Sequence, residues 1–95
     1  MSLPPLKVAV LMGGWAAERE VSLSSASGVI QALEERGHQV VPIDLGATPA
    51  EGRDFPARLI AANPDVVFNA LHGVPGEDGS VQGLMDIMGF VYTHS

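Results

Sequence analysis

Two segments of the chain concentrate the residues that can do chemistry. The first, GGWAAEREVS at 13–22, sets Glu18 and Glu20 after a pair of glycines, and the second, LHGVPGEDG at 71–79, carries His72 and Asp78. A carboxylate in such a loop suits a ligand bearing an ammonium group, held by a charge-assisted hydrogen bond. A histidine suits hydrogen bonding to substrate, or general acid–base work. Each residue also has a plainer reading. Glu18 or Glu20 can cap a helix start and complement its dipole, and for Glu20 that reading is favoured. His72 can be a structural or solvent-facing histidine. Asp78 fits a turn residue that bonds its own loop backbone, and neither a three-histidine nor a two-histidine-one-carboxylate metal set is visible. A phosphate site of the dinucleotide type is disfavoured: the G-x-G-x-x-G spacing is missing, and Trp15, Ala16 and Glu18 stand where small residues would be needed. Both glutamates also put negative charge where a phosphate needs the opposite.

These loops must be held by regular elements, and the hydrophobic pattern supplies them. Lys7–Met12 is an apolar, valine-rich run fitting a strand buried on both faces, and it stops at Gly13-Gly14. From about Ser22, Leu23, Ala26, Ile30 and Leu33 recur at helical spacing, ending at Arg36 with Gly37 as C-terminal cap. HQVVPID at 38–44 reads as a second strand and 45–54 as a loop. Phe55–Ala62 is a short helix ended by Asn63-Pro64. DVVFNA at 65–70 is a third strand. Ser80 can cap a last helix with Val81, Leu84, Met85 and Met88 on one face and Ile87 on another, and Gly89 ends it. The two methionines suit core or interface, and Ile87 suggests a contact beyond this domain. A fourth strand starts at 90–92. His38 and His94 are left as structural or surface residues.

Composition bounds the answer. The chain has 95 residues, 46% of them apolar and 17% charged, with a formal net charge of −6 and no cysteine. One domain fits this length, and the apolar content excludes a disordered tail. The acidic balance speaks against nucleic acid as a partner. The missing cysteines exclude disulfides and Cys-based chemistry. No apolar run approaches a membrane span, and the N-terminal pattern reads as a strand and not a signal peptide, so a cytoplasmic protein is expected. The low charged fraction hints at surface meant to be covered.

Alternating strands and helices with short links imply an α/β fold, a three-layer open parallel sheet of about four strands with helices on both faces. Pro42 cannot donate to a sheet ladder, which puts the second strand at an edge and favours the order 2-1-3-4. The first helix then lies on one face and the other two on the opposite face. One helix cannot cover four strands, so an apolar patch is expected. Ligands bind such sheets at the carboxyl ends of the strands where the winding reverses, here between the first and third strands. The loops leaving those two strands are the ones that carry Glu18 and His72.

GGWAAEREVSLSS (13–25) followed by ALHGVPGEDGSVQGLMDIMGFVYT (70–93) resembles the N-terminal domain of the D-alanine–D-alanine ligases, ATP-grasp enzymes of bacterial peptidoglycan synthesis. The resemblance runs from Lys7 to Thr93 and implies a Rossmann-like, pre-ATP-grasp domain over residues 1–95. It implies that ATP and magnesium phosphorylate the carboxylate of one D-alanine. The amine of a second D-alanine then attacks the acyl phosphate through a tetrahedral intermediate. Glu18 matches the glutamate that holds the first ammonium group, His72 matches a histidine lining that subsite, and Ser22 is carried over as support for the loop. The resemblance also implies a homodimer in the complete enzyme. Two departures stand out: Trp15-Ala16 replace a small hydroxyl residue after the glycines, and His94 replaces a glycine near the end. Trp15 is expected to lean on the subsite or on a neighbouring domain.

Family members are roughly three times longer, as expected of several domains of ~100 residues each. The parts that bind ATP and magnesium are expected outside these residues, and this segment alone is expected to be inactive. The only lysine, Lys7, starts a buried strand and offers no convincing phosphate clamp. Two other readings stand beside this one: a stand-alone α/β small-molecule-binding or interaction module without catalysis, and a Rossmann-type nucleotide domain with Asp44 as ribose ligand.

Overall fold

The computed structural model describes residues 5–15, 17–71, 89 and 92–94. The elements are β1 (Lys7–Met12), α1 (Arg19–Glu35), β2 (Gln39–Asp44), α2 (Phe55–Ala62), β3 (Val66–Asn69) and β4 (Tyr92–His94). All pairings are parallel, and the sheet order is β2-β1-β3-β4. This is the order that the edge position of Pro42 implies. Gln39 N–H donates to the Leu6 carbonyl at 2.9 Å and Leu45 N–H to the Met12 carbonyl at 2.9 Å. Odd-numbered residues of β2 therefore donate toward β1, and the donor that Pro42 lacks would have pointed outward, where no strand is hydrogen-bonded among the described residues.

Successive residues of β1 serve opposite faces of the sheet. Ala9 and Leu11 join Ile43, Leu45, Phe55, Leu59, Val67 and Leu71 in one buried cluster beneath α2. Val8, Val10 and Met12 join Ala26 of α1 and Ala70 in the other. The two layers are packed unequally. The α2 side is closed by fully buried branched residues, whereas Leu23, Val29, Ile30, Leu33, Val40, Val66 and Phe68 on the α1 side are only partly buried. The most exposed large apolar residues described, Val21 and Ile60, lie on different helices and form no single patch. The last helix, expected from Ser80, lies outside the described residues.

Element ends have local causes. Gly37, at φ +87°, lets the chain leave α1 in the left-handed region. Asn63 does the same for α2 at φ 48°. An aspartate or asparagine tolerates this conformation, while a β-branched residue does not. Replacing Asn63 with glycine should leave stability within about 0.5 kcal/mol, and Asn63→Val should cost about 1–2 kcal/mol in urea unfolding. Lys7 binds this same end of α2: its ammonium donates to the Ala62 carbonyl at 3.0 Å, and its backbone N–H donates to Asp65 Oδ2 at 2.8 Å. That commits the lysine to the amino-terminal edge of the sheet, opposite the crevice.

The helix α1 begins at Arg19, three residues before the expected start near Ser22. AERE reads as polar loop, yet Ser22 N–H already closes a helical turn onto the Glu18 carbonyl at 3.0 Å.

Candidate functional site

The β1–α1 loop and the exit from β3 meet at the carboxyl end of the sheet, and Ser22 joins them. Its hydroxyl donates to the Ala70 carbonyl at 2.8 Å and accepts the Gly13 N–H at 3.0 Å. The residue is fully buried. A hydroxyl is the smallest group that can donate to one backbone and accept from another, so one side chain satisfies two buried backbone groups. The exit from β3 is shaped further by Asn69, a buried residue whose Oδ1 accepts the Leu71 N–H at 3.0 Å. Sequence reading passed over Asn69, whose only signal was a polar residue at the end of an apolar strand.

Glu18 is exposed and stands at the N-cap of α1, with φ −84° and ψ 13°. Its side chain makes no capping hydrogen bond. The capping role considered for it therefore has no support in the geometry. The bond from Ser22 N–H to the Glu18 carbonyl places Glu18 one turn before Ser22, which joins the ends of β1 and β3. Glu20 is exposed in the first turn of α1, the position from which a carboxylate complements the helix dipole. His72 and the glycine-rich loop up to Gly79 lie outside the described residues.

The structure adds a polar network that the sequence does not announce. Arg19 forms a two-pronged ion pair with Asp44 at the end of β2, with Nη1–Oδ1 at 2.8 Å and Nη2–Oδ2 at 2.9 Å. Asp44 Oδ1 also accepts the Gly46 N–H at 2.7 Å, and the Asp44 carbonyl accepts from Arg58 Nη2 at 2.8 Å. With its carboxylate filled in this way, Asp44 has no geometry in favour of a ribose ligand. The pair lies directly against Gly13, which adopts φ +85° followed by Gly14 at +90°. A Cβ on Gly13 would overlap both Arg19 Nη1 and Asp44 Oδ1.

The hydrogen bonds from Arg19 hold the Asp44 carboxyl below its ordinary value of 3.8, and the same bonds raise Arg19. A carboxylate with a lowered folded-state pKa contributes stability that is present above its unfolded value and is lost as pH falls through the lowered one. Acid unfolding curves should therefore lose a component below about pH 4. Asp44→Asn should flatten that part of the pH–stability profile, as followed by circular dichroism.

Trp15 is half-buried and packs against the α2-side cluster, next to Gly52 in the β2–α2 loop. The expectation that it leans on the subsite or on another domain is corrected to this extent: its ring has a place within the domain. Gly52 is required there, since a Cβ would meet the Leu45 carbonyl and the Trp15 ring.

For ATP and magnesium the described residues do not fit. Lys7 is committed at the opposite edge, the start of α1 carries Glu18 and Glu20, and no group of three metal-binding side chains occurs among the described residues. No helix among them is long and apolar enough to cross a membrane.

A parallel sheet with reversed winding and two loops joined at the switch point defines an α/β domain of the doubly wound class. The profile of the family described as D-ala D-ala ligase N-terminus matches residues 7–49 and 46–95, and the chain belongs to that family. It is 66% identical over 95 residues to the D-alanine–D-alanine ligase of Novosphingobium aromaticivorans, covering all of this chain and 28% of the relative. It is 65% identical to that of Sphingopyxis alaskensis, of which it covers 29%. The crystal structure of the Bacillus anthracis ligase complexed with ATP superimposes with a TM-score of 0.75 at 34% identity, over 92% of this chain and 28% of that one. The chain thus spans less than a third of the length of these relatives.

Proposed function

We propose that residues 1–95 form the first-substrate domain of a D-alanine–D-alanine ligase and that Glu18 holds the ammonium group of the first D-alanine. The observation that supports this most directly is the exposed Glu18 carboxylate, without a capping bond, one helical turn before Ser22. Ser22 acts from below by fixing Gly13 and Ala70. His72, two positions after Ala70 in the sequence, is the second residue proposed for this subsite, on the motif resemblance alone. Orienting the ammonium group presents the D-alanine carboxylate in one direction, toward the phosphoryl donor. ATP supplies the phosphoryl group, and it and magnesium are bound by other domains. The product chemistry belongs to peptidoglycan precursor synthesis, in the cytoplasm, by a homodimer. Sedimentation of the complete enzyme at the monomer mass would refute the dimer.

The test uses this segment joined to the remaining domains of the Novosphingobium relative. Losing a charge-assisted hydrogen bond costs about 1.5–3 kcal/mol. Glu18→Gln should accordingly raise the KM for the first D-alanine by roughly 10- to 100-fold, with little change in the KM for ATP. Unchanged kinetics for D-alanine would sink the assignment.

A further inference from the structure

The ion pair between Arg19 and Asp44 is well formed, and its share of the fold's stability is the small acid-sensitive component described above. The side chains are 28% and 42% exposed, and exposed pairs of this kind contribute little to stability. Its position is more informative. It ties the residue following Glu18 to the last residue of β2, 25 positions away, and it is seated on the Gly13 backbone. Glu18 thus stands directly before two fixed points. The next residue is Arg19, its guanidinium held in plane by two parallel bonds; four residues on is Ser22, held by two more. Asp44 is itself locked by Gly46 N–H and, through its carbonyl, by Arg58, which also pairs with Asp54 at 3.3 Å. The first turn of α1 has no side-chain cap to define it, so the anchoring falls to these bonds.

We propose that Arg19 and Asp44 are positioning residues for substrate binding: their two-pronged pair sets the direction in which Glu18 meets the ammonium group. The inference rests on the reading of Glu18 given above. A planar guanidinium matters here, because an ammonium group cannot reproduce two parallel bonds. Arg19→Lys keeps the charge and loses the geometry. The acidic charges that face Arg19 are Asp44, which it touches, and Glu51 further along the β2–α2 loop.

The experiment measures KM for the first D-alanine, KM for ATP, kcat and Tm in the chimaeric ligase described above. The variants are Arg19→Ala, Arg19→Lys, Asp44→Asn, Glu18→Gln and the double variant Glu18→Gln/Arg19→Ala. Expected is a rise of roughly tenfold in the KM for D-alanine in each Arg19 and Asp44 single variant, with the KM for ATP unchanged. In the Glu18→Gln background, Arg19→Ala should add almost nothing, since groups acting through one contact are not additive. A lower Tm with unchanged KM would reduce the pair to a structural contact and overturn the proposal. So would a full additional rise in the double variant. If Glu18→Gln itself leaves the KM for D-alanine unchanged, the underlying reading of Glu18 fails. If only the Arg19 and Asp44 variants leave it unchanged, the positioning role fails and that reading stands.

Discussion

Ser22→Ala is expected to destabilise the domain by about 2–4 kcal/mol, read as a loss in urea midpoint with an unchanged slope. The estimate follows from what remains behind. Alanine fits the space, so the fold does not collapse, but the Gly13 N–H and the Ala70 carbonyl lose their shared partner. The site is fully buried, and each unsatisfied buried backbone group costs about 1–3 kcal/mol. Ser22→Thr separates the two contributions. It retains the hydroxyl and adds a methyl group to a filled site, so its cost reports overpacking alone. The same substitution should reach the substrate. Freed of their clamp, the loop after β1 and the exit from β3 can move relative to each other, and the complete enzyme should bind the first D-alanine more weakly. If Ser22→Ala is as stable as the parent, water has replaced the hydroxyl and the clamp is dispensable.

Gly13→Ala should be nearly as damaging, for a different reason. The backbone at Gly13 is at φ +85°, where an L-residue pays roughly 1–2 kcal/mol. The added methyl group also has no room, because Arg19 Nη1 and Asp44 Oδ1 already occupy it. Either the loop shifts or the ion pair opens. A total loss of about 2–4 kcal/mol is expected, together with disappearance of the acid-sensitive component of stability that Asp44 supplies. By contrast Gly28, on α1, has open space around it. Gly28→Ala should stabilise the helix by up to about 1 kcal/mol. Equal effects at positions 13 and 28 would show that the Arg19–Asp44 contact does not dictate the glycine at 13.

What was legible in the sequence is mostly what depends on short-range pattern. Unbroken valine runs gave three strands to within a residue at either end, and Phe55–Ala62 was read with its observed bounds. One proline set the strand order, because a residue without an N–H has few places in a sheet. The first turn of α1 was misjudged because its cause lies 25 residues away: nothing near Arg19 in sequence reveals that Asp44 will hold it. Ser22 was identified only as a loop support, since its two partners are backbone atoms with no sequence identity. The sequence offers the subsite or a neighbouring domain as the place for Trp15, because nothing near it reveals that Gly52 packs against its ring. Of the candidate ligand residues, Glu18 stands out by loop position and charge, which leave helix start and ligand equally open, and its ligand role comes from the motif resemblance. The role of His72 rests on motif resemblance and on its place after β3.

Pro42 has a further consequence, for how this chain behaves toward copies of itself. A parallel sheet ends in an unpaired strand whose outward N–H and C=O groups can recruit another strand. In β2 the outward donors fall on alternate residues, and the middle one is a proline. An incoming strand would find Val40 and Asp44 able to donate and nothing between them. Asp44 is in addition flanked by charge, with Arg19 and Arg58 both bound to it. The residue that fixes the order of the sheet thus also interrupts it as a template, and edge-to-edge aggregation through β2 is blocked at its centre.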